Sequence, residues 1–353
     1  MANPAPLRVL VVDDSAYNRR SITEILSHSP QVEVVGKAAN GEEALQLVSQ
    51  LKPDAITLDL EMPKMDGYTF LRILMAKQPT PVIVISSYSA KENVFKALEL
   101  GAVDFVAKPS RQLVPEPSIR REIVQKILLV RYLRPLALSG IRSTIPMPAV
   151  TRPPSSDNPS TRSPAVLKYI IGIASSTGGP TALLELIGRI PERFPGAILI
   201  AQHMPDKFTR TFAERLDRRG ALRVFEAQDG DLVLPRRAFV CPGKMCMELV
   251  LSAADIRLRV TPAAPGDRYV PSGDRLLRSI AEVGSRSIGI ILTGMGDDGV
   301  VGARAIRAAG GMVIAESEET AVVYGMPRAA ARAGVVNETR PLPSIGDFLA
   351  QLA

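Results

Sequence analysis

Short apolar runs recur along the chain, each followed by a stretch whose apolar residues fall three and four apart. In residues 7–109 the runs are RVLVVDD, VEVVGKAA, DAITLDL, PVIVISS and VDFVAKP. YNRRSITEILS, GEEALQLVSQL and the segments around 67–77 and 91–100 read as helices between them. Near-continuous Val, Ile and Leu predict strands buried on both faces, and a five-fold β-α alternation predicts a parallel sheet covered on both sides. SIRREIVQKILLVRYLR, residues 118–134, predicts one more amphipathic helix, with Ile119, Ile123 and Ile127 on one face. From Leu167 the alternation resumes. KYIIGIA, GAILIAQH, AFVCPG, SIGIILTG and GGMVIAE predict strands, and PTALLELIGRI, FTRTFAERLDRR, GDRLLRSIAEV and GVVGARAIRAAG predict helices. MELVLSA and DIRLRVTP predict an antiparallel hairpin inserted in this second domain, which is otherwise mostly parallel. The expected organisation is an α/β domain over 7–125, a linker over 126–165 and a second, doubly wound α/β domain over 166–353.

The stretch PMPAVTRPPSSDNPSTRSP is too rich in Pro and Ser to bury a core and reads as a semi-extended linker. The chain carries a net charge of +7, which would suit a nucleic-acid partner. Nine basic and only three acidic residues lie between Ser110 and Arg162, however, so nearly all the excess sits in and beside the linker. That placement points to solvation or to an acidic partner surface. No helix-turn-helix pattern stands at the C-terminus, and no nucleic-acid partner is expected. Two cysteines cannot make a disulfide framework or a four-ligand zinc site, and both read as reduced thiols. No signal peptide and no apolar run long enough to cross a bilayer is visible, so the expectation is a cytoplasmic protein that is not membrane-embedded.

Polar residues gather where the first domain's strands end. Asp13 and Asp14 close the first strand, Asp59 the third, Ser86 and Ser87 the fourth and Lys108 the fifth. In an open parallel sheet these ends share one edge. Three carboxylates together suit a hard cation with open positions, Mg²⁺ above all. A carboxylate beside such an ion can attack a phosphoryl group while a lysine and a hydroxyl stabilise the transferred oxygens. VLVVDDS, LDLEMPKMDG, VISS and VAKP, in this order, resemble the receiver domains of bacterial response regulators. The resemblance implies a flavodoxin-like fold, Asp59 as phosphoacceptor, and Asp13 and Asp14 with it as the Mg²⁺ site. It implies that Lys108 contacts the phosphoryl group and that Ser86 is the switching hydroxyl. Phe105 stands at the family's switch aromatic and also reads as a core residue on the fifth strand.

Three loops of the second domain carry the other candidate chemistry. Ser175 and Ser176 follow an apolar strand and precede Gly178-Gly179-Pro180 and a helix, an arrangement that lifts a hydroxyl toward helix N-terminal N–H groups. Ser176 and Gly178 fit the second half of a nucleophile elbow, whereas Ser175 has no such spacing. The loop lacks the Gly-Lys-Ser/Thr ending of a P-loop and the three-glycine dinucleotide fingerprint. A plain turn stays open on this loop alone. Of the two histidines, His28 reads as a surface residue where the first helix runs out, and His203 follows a buried strand. TGMGDDG follows another and carries Asp297 and Asp298. Serine, histidine and acids after three strands make the nucleophile, base and orienting carboxylate of a hydrolase.

SSTGGP, QHMPDKFT, PG before MEL, ILTGMGDDG and VYGMPRAA resemble, in order, the catalytic domain of chemotaxis protein-glutamate methylesterases. With the receiver resemblance this gives that family's whole architecture. It implies Ser176 as nucleophile, His203 as base and Asp298 as orienting acid. Thr177 would support His203, and the backbone at Met295 would help the oxyanion hole. No cofactor is implied in this domain. The implied reaction is hydrolysis of glutamate γ-methyl esters on methylated chemoreceptors, with deamidation of receptor glutamines at the same site. A chemotaxis histidine kinase would be the phosphodonor, and phosphorylation would open the catalytic cleft. Ala174-Ser175 stands where the family usually has Gly-Ala, Cys246 where many members have histidine, and Val270 where many have arginine. The rival reading is a phosphorylation-switched binding module without turnover.

Overall fold

The computed structural model describes residues 5–87, 91–108, 117–133 and 167–353. The chain divides into two compact units, Met1–Thr144 and Ile145–Ala353. The proline-rich linker lies outside the described residues.

The first unit alternates β1 (Leu7–Val12), α1 (Ala16–Ser27), β2 (Val32–Ala38), α2 (Gly41–Leu51), β3 (Ala55–Leu58), α3 (Gly67–Lys77), β4 (Val82–Ser86), α4 (Lys91–Glu99), β5 (Asp104–Ala107) and α5 (Pro117–Leu128). Its five strands are all parallel, in the order β2-β1-β3-β4-β5, which is the flavodoxin-like arrangement. Side-chain caps begin the helices. Ser15 accepts from Asn18 N, Asn40 from Glu43 N and Asp66 from Thr69 N. The helix expected over 118–134 is α-helical only to Leu128 and closes in a 3₁₀ turn, Leu129–Tyr132. Leu133 is already extended, two residues before Pro135. Ile123 and Ile127 are buried, as their shared face requires.

The second unit holds β6 (Tyr169–Ser175), α6 (Gly179–Arg189), β7 (Gly196–Gln202), α7 (Asp206–Arg219), β8 (Arg223–Glu226), β9 (Arg237–Val240), β10 (Met245–Leu251), β11 (Ile256–Pro262), α8 (Gly273–Ile280), β12 (Ser287–Ile291), α9 (Val300–Ala308), β13 (Met312–Glu316), α10 (Met326–Arg332), β14 (Glu338–Arg340) and α11 (Leu342–Gln351). Seven strands form a parallel sheet in the order β14-β13-β12-β6-β7-β9-β8, and β10 and β11 pair antiparallel in a sheet of their own. The sheet is therefore doubly wound about β6. The chain proceeds outward from β6 through β7 on one side, then returns to lay β12 on the other. A Cβ at Gly172 would lie 2.7 Å from both Ile280 and Leu277, so a glycine lets α8 press directly onto the central strand. Ile170, Ile171 and Ile173 of that strand are buried, each stabilising the fold by about 1.5–3 kcal/mol. The two cysteines are buried free thiols. Among the described residues no helix is long and apolar enough to cross a membrane.

Candidate active site and acidic cluster

The strand ends of the first unit bring the expected residues together. Asp59 N donates to Val12 O and Lys108 N to Ser86 O, which fixes each residue just past its strand. Carboxylate oxygens of Asp13, Asp14 and Asp59 lie within 4.8 Å of one another. Asp13 and Asp59 are buried and Asp14 is exposed. Lys108 Nζ donates to Asp59 Oδ2 at 2.6 Å and lies 3.1 Å from Asp13 Oδ2. The second contact is an ion pair without hydrogen-bond geometry, so Asp13 Oδ2 is buried with no hydrogen-bond partner. Its other oxygen accepts from Ser15 N and Asn18 Nδ2. Burial pushes the Asp59 carboxyl above its ordinary value, with Asp13 adding to the rise and Lys108 opposing it. Burial pulls the Lys108 ammonium down, but the hydrogen bond and charge of Asp59, with the charge of Asp13, raise it overall. Ser86 is buried at the end of β4. Phe105 is buried edge-on to Phe95, with the Lys126 ammonium 5.3 Å over its ring. A buried carboxylate oxygen without a hydrogen bond, beside two more carboxylates, fits a small hard cation.

In the second unit Ser176, His203 and Asp298 follow β6, β7 and β12, three adjacent strands. This is the carboxyl edge at the point where the strand order reverses, the usual place for a site in such a sheet. Ser175 and Ser176 part company. Ser175 is buried, and its hydroxyl donates to Gln202 Oε1 at 2.7 Å. Ser176 is partly exposed; its N–H donates to Thr293 O and its carbonyl accepts from Gln202 Nε2. Gly178 follows at φ +79°, a left-handed turn that a side chain strains against, and α6 begins at the next residue.

His203 Nε2 lies 2.7 Å from Asp298 Oδ2. Asp298 is buried and held by three backbone donors besides: Gly273 N on Oδ2, and Asp274 N and Gly299 N on Oδ1. Two of these are the first N–H groups of α8, where a carboxylate is favoured by the unpaired donors and the helix dipole. Ser176 packs against the loop that carries Asp298: a Cβ on Gly294 would stand 2.7 Å from Ser176 Cβ. Among the described residues no hydrogen bond joins Ser176 Oγ to His203. Thr177 is buried, and its carbonyl accepts from Thr293 Oγ1. Met295, in the loop between β12 and Asp298, is 46% exposed, and its backbone N–H donates to no acceptor among the described residues. His28, in the first unit, is exposed at the end of α1, with Nδ1 2.6 Å from Glu24 O.

The neighbouring acid does something else. Asp297 is half exposed, pairs with Arg268 Nη1 at 3.1 Å and accepts from Tyr269 Oη at 2.9 Å. The Tyr269 ring lies flat on the His203 imidazole, with centroids 5.3 Å apart and planes 6° from parallel. Burial, then the hydrogen bond to Asp297, raises the Tyr269 phenol above its ordinary value, so it stays neutral.

Sequence reasoning missed the residues that hold these loops. Gln202 Nε2 donates to both Ser176 O and His203 O, tying the loops after β6 and β7 through one amide. Thr293 accepts from Ser176 N and donates to Thr177 O, while its own N–H donates to Glu316. Burial pushes the Glu316 carboxyl up to about 7, against the hydrogen bonds of Thr293 N and Thr320 Oγ1 that pull it down. Each stands at the end of an apolar run, the one signal that could have marked it.

Comparison with known proteins agrees with this architecture. The CheB methylesterase family model matches residues 171–349, and the response regulator receiver domain model matches residues 9–114. The chain is 45% identical over 359 residues to protein-glutamate methylesterase/protein-glutamine glutaminase 1 of Myxococcus xanthus, covering 100% of this chain and 99% of that protein. It is 46% identical to enzyme 3 of the same name from Geobacter sulfurreducens, covering 94% and 93%. The crystal structure of the Thermotoga maritima CheB methylesterase catalytic domain superposes with a TM-score of 0.51 at 38% identity, covering 53% of this chain and all of that one. The chain belongs to the protein-glutamate methylesterase/protein-glutamine glutaminase family, with a receiver domain ahead of a CheB methylesterase domain.

Proposed function

We propose that this chain is a phosphorylation-regulated hydrolase of the chemotaxis system. It removes methyl groups from glutamate γ-methyl esters on chemoreceptors and converts receptor glutamines to glutamate, with Ser176, His203 and Asp298 carrying the chemistry. The observation that supports this most is the 2.7 Å pairing of His203 Nε2 with a fully anchored Asp298, one strand away from the Ser176 turn. With Nε2–H donated to Asp298, Nδ1 is the imidazole atom left to take a proton. Ser176 Oγ attacks the side-chain carbonyl while His203 removes its proton. The N–H groups at the start of α6 and the backbone of Met295 receive the oxyanion. His203 then returns the proton to the leaving group, giving methanol from an ester or ammonia from an amide. A water activated by the same imidazole clears the glutamyl-serine ester. Asp298 keeps the tautomer and steadies the imidazolium, and Thr177 supports the His203 loop.

In the receiver unit Asp59 is the phosphoacceptor, and a chemotaxis histidine kinase is its donor. Asp13, Asp14 and Asp59 would hold Mg²⁺, which when bound offsets negative charge around the phosphoryl group. Lys108 and Ser86 stand on strand ends beside Asp59 and contact the phosphoryl oxygens. The test is methanol release from methylated receptor membranes, with and without a small phosphodonor and Mg²⁺, with Ser176→Ala as blank. Release that rises with the phosphodonor and vanishes in the variant is the expected result. No release under either condition refutes the assignment.

A further inference from the structure

Asp298 grips His203 by a single nitrogen. A hydrogen bond at one edge leaves the ring free to tilt about that contact, and a tilted ring aims its other nitrogen away from the serine. The structure supplies a second restraint on the ring face. Tyr269 lies 6° from parallel with the imidazole at 5.3 Å. Tyr269 is itself fixed, because its hydroxyl donates to Asp297 Oδ1 at 2.9 Å and the Arg268 guanidinium lies 5.0 Å over its ring. Arg268 also pairs with Asp297, which closes a triangle of three side chains. A Cβ at Gly296, where φ is +100°, would stand 2.4 Å from Tyr269 Oη. The adjacent acids thus differ in partner: Asp298 meets the imidazole edge, and Asp297 meets Tyr269, the ring that covers its face.

Building on the assignment of His203 as base, we propose that Tyr269 is a positioning residue for it: the stacked ring sets the imidazole plane and favours the imidazolium that forms during attack. An electron-rich aromatic face stabilises a cation laid against it, and that benefit arises only once the base has taken its proton. Its loss therefore lowers kcat more than it raises KM.

The experiment measures kcat and KM for methanol release from methylated receptor membranes by the full-length protein and four variants. Tyr269→Ala is expected to lower kcat about 10-fold with KM within about twofold, between the ranges of an exposed and a desolvated cation–π contact. Tyr269→Phe keeps the ring and loses only the tie to Asp297, so its kcat stays within about threefold of the parent. Ser176→Ala and His203→Ala serve as inactive references. If Tyr269→Ala keeps the parental kcat while His203→Ala is dead, the Tyr269 proposal fails and the base assignment stands. The proposal also fails if Tyr269→Ala changes KM alone, or if Tyr269→Phe falls as far as Tyr269→Ala. If His203→Ala retains turnover, the base assignment fails and the proposal with it.

Discussion

Asp13 and Asp298 are buried to nearly the same degree, 0% and 1% exposed; Asp13 directly follows β1, and Asp298 lies in the loop between β12 and α9. Their surroundings differ. Asp298 accepts from three backbone N–H groups and from His203. Asp13 has one oxygen satisfied and the other buried without a hydrogen bond, 3.1 Å from Lys108 and close to a second carboxylate. A buried carboxylate with every lone pair engaged has one geometry and keeps a neighbour in place. A buried carboxylate left short of donors carries a desolvation cost that an arriving cation relieves. The same residue type thus makes a fixture in one unit and a receptive site in the other.

The largest expected effect tests whether the fixture serves catalysis at all. Ser176→Ala and His203→Ala should each reduce methanol release by at least about 10³-fold, read from the initial rate. Asp298→Asn should reduce it about 10²- to 10⁴-fold, because an amide can hold the imidazole in the wrong tautomer. Asp59→Asn should leave the basal rate in place and abolish stimulation by the phosphodonor. A stimulated rate in that variant would move the receptive site elsewhere.

Stability separates the two carboxylates more finely. Asp298→Ala leaves the Gly273, Asp274 and Gly299 N–H groups without their acceptor and should cost about 1–3 kcal/mol in thermal or urea unfolding. Asp13→Asn relieves charge crowding near Asp59 and keeps the Lys108–Asp59 pair, so it should not lower unfolding stability. It should reduce the rise in melting temperature that millimolar Mg²⁺ gives the parent protein. Equal destabilisation by both changes would erase the distinction.

The smallest effect concerns Glu316, whose carboxyl is raised from 4.5 to about 7. The folded state keeps this proton at pH values where the unfolded chain has lost it. Its contribution to stability is therefore full below about 4.5 and lost as pH rises through about 7. Glu316→Gln should remove that part of the pH dependence, seen as a change in the melting-temperature difference from the parent across this window.

The central strands of both sheets were legible because each is a continuous apolar run ending in a polar residue. The edge strands β8 and β14 were not. They are four and three residues long, RVFE and ETR, and mixed in polarity, so neither length nor period marks them. The C-terminal helices α10 and α11 were missed as well; the landmark VYGMPRAA pointed to the first as a motif rather than as a helix. At the candidate site, the strand-end rule singled out Ser176, His203 and the Asp297-Asp298 pair, which the structure places on the loops after β6, β7 and β12. It could not divide that pair, because two adjacent residues share one sequence context and differ only in the direction their side chains take. Tyr269 left no trace, since it sits in the loop GDRYVPSG with no periodicity to break. Family resemblance selected Asp298, the acid that the structure pairs with His203.

The placement of β12 beside β6 has a consequence for biosynthesis. The serine and histidine loops come from neighbouring stretches of chain, but the strand leading to Asp298 is synthesised only after α7, β8, β9, the hairpin and α8. Its pairing with β6 joins residues more than a hundred positions apart, a contact of high loop-closure cost. Ser176 and His203 are thus translated well before the carboxylate that the proposed mechanism pairs with the imidazole. On the proposed assignment, a chain truncated before β12 lacks the orienting acid and should release methanol far more slowly than the full-length protein.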